Sequence, residues 1–289
     1  MTDHHENLSR LIPPISRARG FRLYTEKGRR LVDLWQYGGA AILGHTSRGT
    51  LRELKNTAER GLFAPLPSRL EGRFLKALGR LFPGREFRWY AGETSLNRVL
   101  EAAGYVPGEP LPDPALACLP DRIVPAVSLW RPFLEDLPRG KAKSAPPGTS
   151  VPPRPPIPVL IPVLPPPWPP APRVVVLEPA LADRFPPADP LSPLSLGAAA
   201  RAVHDLIAAA PERGRPFPPI IRALEGSPWR RRGIYLSLRK SPEPDAWEGI
   251  FRRFLDQGFL LPPDGGLPAI LPGEISPGET AKLAELLAE

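Results

Sequence analysis

The residues Ala91–Asn97, with the sequence AGETSLN, have the composition of an anion-binding turn. They follow the strand-like run Glu86–Tyr90 and precede a helical pattern that ends at Gly104. A helix that begins directly after a strand and a Gly-containing turn exposes its first backbone N–H groups and its positive dipole end to a ligand. A purely structural turn has the same pattern, and that alternative stays open. The candidate anion-binding residues are Gly92, Glu93, Thr94 and Ser95.

Other residues that carry chemistry form no recognisable site. The sequence has no G-x-S-x-G, H-E-x-x-H, P-loop or Rossmann fingerprint. His204 and Asp205 adjoin within a helical pattern, so they point in different directions and form no dyad. Cys118 lies in the apolar run ALACLP and is predicted to be an inert, buried thiol. No metal site is predicted, because the histidines are dispersed: His4, His5, His45 and His204.

Composition and charge narrow the functional class. The chain has 289 residues and a net charge of +8, but its arginines are scattered and no basic helix or nucleic-acid-binding motif accompanies them. Nucleic acid is therefore not an expected partner. No run of about 18 apolar residues lacks proline, so no membrane-spanning helix is expected. The polar start and the single cysteine predict a cytoplasmic protein without a signal peptide.

The N-terminal third is predicted to contain a hairpin and two helices. The strand-like runs FRLYT and RRLVDLW flank Glu26-Lys27-Gly28, which is a turn signal. Thr46 or Ser47 is expected to cap a helix that ends at Arg60. Ser68 and Glu71 have capping-box spacing, and the apolar residues that follow recur at helical period until Pro83.

The second half of the chain predicts alternating strands and helices. The β-branched run Arg173–Glu178 is typical of a buried parallel strand, and Leu194–Ala210 reads as a helix that packs on a sheet. Strands are also predicted over Gly233–Leu238 and Phe259–Leu261. Two further helices are expected to begin at capping boxes. These boxes are Asp245–Glu248 and Ser276–Glu279.

The segment Pro146–Pro172 differs from the rest of the chain, because 14 of its 27 residues are proline. Such a composition excludes a helix or a central strand throughout and favours extended or polyproline II structure. Its apolar part, Ile157–Leu164, is predicted to pack as an edge strand or to wrap across the protein. A recognition segment for proline-binding domains is the alternative.

The order of these motifs resembles the class III aminotransferases, and glutamate-1-semialdehyde aminomutases in particular. In that family an "LYD.DG..Y.D" hairpin leads through "G...LGH..P" into a helix, and here RLYTEKGRRLVDLW leads to Ile42-Leu43-Gly44-His45. Phe259–Pro272 loosely matches the family's "G..LPPS....AILS" passage. The resemblance implies a fold of type I, pyridoxal phosphate (PLP) as cofactor and a homodimer. It also implies that the N-terminal hairpin completes the C-terminal domain.

The chain departs from the family at the positions that carry the chemistry. The family's phosphate-binding "SGTEAN" becomes AGETSLN, so Gly92 is kept and Glu93 stands in place of a threonine. A carboxylate there would repel phosphate. Ser47-Arg48 replaces the family's "HP", and Gly38 stands where an aromatic residue usually closes the substrate pocket.

The family's Schiff-base lysine and its aspartate partner for the pyridine nitrogen have no clear equivalents. By position the lysine would be Lys141 or Lys143, although the sequence around them lacks the rest of the motif. By order alone, three residues could be the pyridine partner. These are Asp113, Asp121 and Asp136.

The sequence therefore predicts an α/β protein with a reduced fold-type-I aminotransferase-like architecture. Its expected parts are an N-terminal hairpin and helices packing with the C-terminal domain (1–85), a remnant large domain that includes the Pro-rich segment (86–210), and a small α/β domain (211–289). The predicted function is that of a divergent relative without transaminase activity, which binds a small anionic ligand or a protein partner. An active PLP-dependent aminotransferase or aminomutase is one alternative, and a scaffold that uses Pro146–Pro172 is another.

Overall fold

A computed structural model gives the fold of most of the chain. The side chains of residues 93–95, 98, 102 and 211–213 lie outside the description. The described residues are 8–45, 47–106, 109, 111–116, 125–134, 157–165, 172–213 and 217–289.

The first sheet joins the two ends of the described chain. Strands β1 (Ile15–Arg19), β2 (Arg22–Thr25) and β3 (Arg30–Asp33) form an antiparallel meander. Strand β10 (Phe259–Leu260) then pairs with β3 in parallel, with Phe259 opposite Val32. The two ends of the described chain thus build one sheet, as the family resemblance implied. Gly28 lies in the predicted turn at φ +78, a conformation that other residues rarely adopt.

Gly44 explains why the LGH motif follows this hairpin. It has a φ of +86, and a Cβ atom added to it would lie 3.1 Å from the backbone of Gly20. The N–H of His45 donates to the Gly20 carbonyl at 2.9 Å. The motif therefore packs directly on the turn between β1 and β2, where only a glycine leaves enough space.

The C-terminal elements form a second small sheet beside the first. Strands β8 (Trp229–Arg232), β9 (Tyr235–Leu238) and β11 (Ala269–Ile270) pair antiparallel. Strand β8 was not predicted, because the sequence WRRR lacks an apolar alternation. The two sheets share one core, which includes Leu34, Tyr235 and Phe259.

Three helices cover this core, and their starts test the capping predictions. They are α5 (Pro218–Ala223), α6 (Pro244–Asp256) and α7 (Pro277–Ala288). Ser276 and Glu279 form the predicted capping box at α7. The predicted box at Asp245 is wrong, because Glu243 is the N-cap of α6 and Pro244 occupies the first helical position.

The third sheet has the order β4 (Glu86–Tyr90), β7 (Arg173–Leu177), β6 (Val159–Pro162), β5 (Val127–Trp130). Strand β7 is buried as predicted, but it runs antiparallel to both neighbours, so the prediction of a parallel strand is wrong. Its apolar run reflects burial on both faces: Val174 and Val176 face one core cluster and Val175 and Leu177 another. A doubly covered strand has this pattern whatever its direction.

Strand β6 also corrects the interpretation of the Pro-rich segment. It pairs with β7 on one side and β5 on the other, so it is an inner strand and not an edge strand. Proline is tolerated because Pro158 precedes the strand and Pro162 is its last residue. The residues 146–156 and 166–171 lie outside the described part of the chain. The hypothesis that they bind proline-recognition domains therefore stays a prediction.

Helices α1 (Arg48–Glu59) and α2 (Arg69–Leu81) pack on α4 (Pro193–Arg213). The expectation was that the helices of 1–85 pack with the C-terminal domain (211–289), whereas α4 belongs almost entirely to the predicted large domain (86–210). Small residues allow the close approach: a Cβ atom on Gly197 would lie 3.2 Å from Leu70 Cδ1. The boundaries of the three predicted domains stay a prediction.

Helices α1 and α2 begin at predicted cap residues, but only one of the two serines makes a capping hydrogen bond. Ser68 caps α2 and accepts the N–H of Leu70. Ser47 is the N-cap of α1, but its hydroxyl donates to Asp205 on α4 at 2.9 Å. The alternative cap, Thr46, lies outside the described residues.

Two classes of feature are absent from the described residues. No helix among them is long and apolar enough to cross a membrane. The same residues contain no group of three or more histidine, cysteine or acidic side chains placed to hold a metal ion.

An ion pair ties the N-terminal hairpin to the last helix. Arg22 donates twice to Glu279, at 3.1 Å and 2.7 Å, and Arg30 lies 3.3 Å from the same carboxylate. Burial alone would raise the pKa of Glu279, but the hydrogen bonds from Arg22 and Ser276 outweigh it and lower the pKa to about 2. The ionised carboxylate is therefore stabilised by folding.

We expect this carboxylate to make stability depend on acid pH. Because its folded pKa lies below its ordinary value of 4.5, the contribution is complete above pH 4.5 and is lost as the pH falls through about 2. The Glu279→Gln variant should lose up to about 3 kcal/mol of unfolding free energy at pH 7, and less at pH 3. Urea denaturation at both pH values measures this, and an equal loss at the two would contradict the assignment.

Candidate functional site

The predicted strand–turn–helix is present at Gly92. Strand β4 ends at Tyr90, Gly92 is the N-cap with φ −136 and ψ 161, and helix α3 (Glu93–Ala102) begins directly after it. The first backbone N–H groups of such a helix have no acceptor within the helix. The side chains of Glu93, Thr94 and Ser95 lie outside what the structure describes. The backbone thus has the predicted form, and anion binding by these residues stays a prediction.

A carboxylate that the sequence did not indicate lies at this turn. Asp189 Oδ2 accepts the backbone N–H of Ala91 at 2.9 Å. Two further hydrogen bonds fix Asp189 to the end of β4: its N–H donates to the Trp89 carbonyl, and its own carbonyl accepts from Trp89 Nε1. Sequence reasoning missed Asp189 because it lies 98 residues after Ala91 and belongs to no motif.

The negative charge of Asp189 affects the pKa of Tyr90 and the affinity of the turn for anions. Burial raises the pKa of Tyr90, the charge of Arg88 lowers it, and the charge of Asp189 raises it further. A phosphate at the turn would be negatively charged, as Asp189 is, and the two like charges would repel each other. The turn is therefore a weaker phosphate site than its backbone alone suggests.

A left-handed turn separates the hairpin from the LGH motif. Four successive residues, Gln36–Gly39, have positive φ values, and the first two are not glycine: Gln36 has φ 48 and Tyr37 has φ 50. Left-handed conformation costs an L-residue roughly 1–2 kcal/mol, so the surroundings must hold the turn in place.

Asp33 supplies much of that hold. Its Oδ1 accepts the N–H groups of Trp35 and Gln36 at 2.9 Å and 2.8 Å, and its Oδ2 lies 2.7 Å from His45 Nε2. The Gln36 amide is buried and donates to the Ile270 carbonyl at 3.1 Å. His45, which was unassigned in the sequence, is thus a structural partner of a buried carboxylate.

Arg131 holds the turn from the other side. Its Nη1 donates to the Gly38 carbonyl at 2.9 Å, and its guanidinium lies 5.4 Å from the ring centre of Tyr235. The same side chain makes three hydrogen bonds of 2.6–2.8 Å to Asp113. Both members of the Arg131–Asp113 pair are buried. Gly39 fits beneath them, since an added Cβ would lie 3.4 Å from Arg131 Nη1.

Comparison with known protein sequences finds partial matches to this chain. No family model matches the chain. It is 34% identical over 144 residues to an uncharacterized protein of Treponema pallidum, an alignment that covers 46% of this chain and 47% of that protein. It is also 35% identical over 69 residues to glutamate-1-semialdehyde 2,1-aminomutase of Sorangium cellulosum, covering 24% of this chain and 16% of that enzyme. The chain therefore matches about half or less of the length of these curated relatives.

Solved structures match over nearly the whole chain. An ornithine aminotransferase from Plasmodium yoelii aligns with a TM-score of 0.64 at 13% identity, covering 99% of this chain and 97% of that one. An omega-transaminase from Sphaerobacter thermophilus aligns with a TM-score of 0.58 at 13% identity, covering 99% and 95%. The chain has the fold of the class III aminotransferases. At these identities the likeness concerns the fold and not the chemistry.

In an aminotransferase fold the lysine that bonds to the cofactor must reach into the site. Each described lysine is instead exposed on the surface. Lys141 and Lys143, the candidates by position, lie outside the described residues. The described lysines are Lys27, Lys55, Lys76, Lys240 and Lys282.

Of the three candidates for the aspartate that would pair with the pyridine nitrogen, the structure describes one. Asp113 is a candidate by order, but its carboxylate is fully engaged by Arg131. Asp121 and Asp136 lie outside the described residues. With Asp189 beside the turn and Asp113 paired with Arg131, the described residues do not form a site that fits pyridoxal phosphate.

Replacing Asp113 by Asn tests how firmly this carboxylate is committed. The variant leaves the buried guanidinium of Arg131 without its counter-charge, which should cost about 3–5 kcal/mol of unfolding free energy. Arg73→Gln is the matched control, because it breaks the more exposed Arg73–Glu53 pair and should cost less than about 1 kcal/mol. Urea denaturation measures both. Equal losses would contradict the buried pair.

Replacing Asp189 by Asn tests the electrostatics of the turn. The Asn amide oxygen can still accept the Ala91 N–H, but the charge that repels an anion is gone. We expect inorganic phosphate to bind D189N about threefold to tenfold more tightly than the unaltered chain in low-salt calorimetry. The control Asp183→Asn, at an exposed position in the 3-10 helix Pro179–Arg184, should leave the phosphate affinity unchanged. Absence of phosphate binding to both D189N and the unaltered chain would remove Gly92–Ser95 as an anion site.

Proposed function

We propose that this chain is a divergent relative of the aminotransferases that keeps their fold without transaminase chemistry and acts by binding. The observation that carries the proposal is the replacement of cofactor partners by structural contacts. Asp113 pairs with Arg131, Asp189 binds the Ala91 N–H beside the candidate phosphate turn, and every described lysine is exposed. Among the described residues, the one candidate for the pyridine partner, Asp113, is therefore paired with Arg131, and no lysine is buried.

Two kinds of bound partner are consistent with the site. A small anion could still meet the N–H groups of Gly92–Ser95, whose backbone geometry suits it. A protein partner is supported by exposed apolar side chains in the loop between α1 and α2, where Phe63 and Leu66 are 58% and 64% exposed. The homodimer that the resemblance implies stays a prediction.

A covalent trapping experiment tests the proposal against its main alternative, an active enzyme that uses Lys141 or Lys143. The full chain is incubated with PLP, reduced with borohydride and digested, and the modified lysines are mapped by mass spectrometry. We expect only substoichiometric labelling spread over exposed lysines, because no described lysine is placed to react selectively.

Variants make the outcome specific. Lys141→Arg and Lys143→Arg should show the same labelling as the unaltered chain, and an aminotransferase of established activity serves as positive control. One stoichiometric adduct that disappears in K141R or K143R would overturn the proposal and establish the enzyme instead.

A further inference from the structure

A cleft of about 450 Å³ lies in the C-terminal part of the molecule, apart from the residues of the turn. It is bounded by the open end of the β8–β9 hairpin, one side of helix α6 and the end of helix α7. Its volume falls in the range of small-molecule sites. None of its lining residues has a role in the aminotransferase-like features described above.

One wall of the cleft is apolar and firmly held. Trp229, Leu238 and Ile250 line it. Trp229 is buried, with its ring centre 6.3 Å from that of Trp247 and 5.7 Å from that of Phe254. Because these rings belong to the main core, the wall is formed before any ligand arrives.

The rim of the cleft is cationic. Arg239, Lys240 and Arg253 line it, against a single carboxylate, Glu289. Arg239 Nε donates to the Ser227 carbonyl at 3.1 Å, which fixes the start of its guanidinium at the rim. Lys240 is exposed. The lining therefore has three positive charges and one negative charge.

Arg253 is only partly satisfied. Its Nη1 lies 3.0 Å from Glu289 Oε2, in a pair that is 38% and 58% exposed. Its Nε–H is buried and has no hydrogen-bond partner among the described residues. Its ion pair with Glu289 is exposed to solvent, so a ligand anion can compete for the guanidinium.

We propose that this cleft binds a small organic anion with an apolar body. The anionic head group pairs with Arg239, Lys240 and Arg253, and the apolar body lies against Trp229, Leu238 and Ile250. Glu289 competes with the head group for Arg253. The proposal goes beyond the proposed function and does not depend on it, because the cleft lacks any residue of Gly92–Ser95 and does not require that lysine chemistry be lost.

A fluorescent probe of this chemistry, 8-anilinonaphthalene-1-sulfonate, tests the site on the full chain. Saturable binding to the folded protein is expected. The double variant R239Q/K240Q should weaken it about tenfold, because two of the three cations are removed. The Glu289→Gln variant should tighten it about threefold or more, since Arg253 is released from its internal carboxylate. Arg252→Gln, one residue outside the cleft on the same helix, should change the Kd less than twofold.

Competition then distinguishes the head group. Phenyl phosphate and 4-phenylbutyrate should both displace the probe, and the tighter of the two identifies phosphate or carboxylate as the preferred anion. Benzyl alcohol, which has the apolar body without the charge, should not displace it. Displacement by benzyl alcohol as effective as by the anions would overturn the proposal.

Folding of the variants is checked by circular dichroism. If R239Q/K240Q unfolds, the single variant Lys240→Gln replaces it, because Lys240 is exposed and its loss leaves the Arg239–Ser227 bond intact. Non-saturable binding, or a Kd that stays within twofold of the unaltered chain in both the cation variant and E289Q, would overturn the proposal.

Discussion

The buried carboxylate of Asp33 is the contact on which the arrangement of the molecule depends. It ends strand β3, which pairs with β10 from the other end of the described chain. Its two oxygens accept from Trp35 and Gln36 and bind His45, and they thereby hold a strained left-handed turn. The Gly38 carbonyl in this turn accepts a hydrogen bond from Arg131, which directly follows β5. The Asp33 carboxylate therefore connects the first sheet, through the turn, to the third sheet, which carries the candidate site. Removing it would leave several buried N–H groups unsatisfied.

The chain has the backbone of an aminotransferase fold, and the proposed loss of transaminase chemistry concerns its side chains. Backbone features that need only geometry are kept: the hairpin, the close contact of Gly44 with Gly20, and the strand–turn–helix at Gly92. Buried charged side chains are paired within the protein. Asp113 and Arg131 illustrate this, because their mutual pairing satisfies two buried charges without a ligand.

Local sequence signals predicted the fold better than the site. The turn at Gly28, the capping box at Ser276 and the meeting of both ends of the described chain followed from short patterns or from the resemblance. The direction of strand β7 in the third sheet was not predicted correctly, because the apolar run Val174–Leu177 indicates that the strand is buried but not which way it runs. Asp189 and the Arg131–Asp113 pair were missed or unassigned for a related reason. They are contacts between distant segments, and no spacing in the sequence encodes them.

The central claim is that the aminotransferase fold persists here without a lysine bonded to the cofactor. The most direct measurement is a crystal structure of the full chain grown with pyridoxal phosphate. We expect that Asp113 stays paired with Arg131 and that no continuous electron density joins the cofactor to a lysine Nζ. Continuous density from the cofactor to Lys141 or Lys143, with the phosphate seated on the N–H groups of Gly92–Ser95, would contradict it.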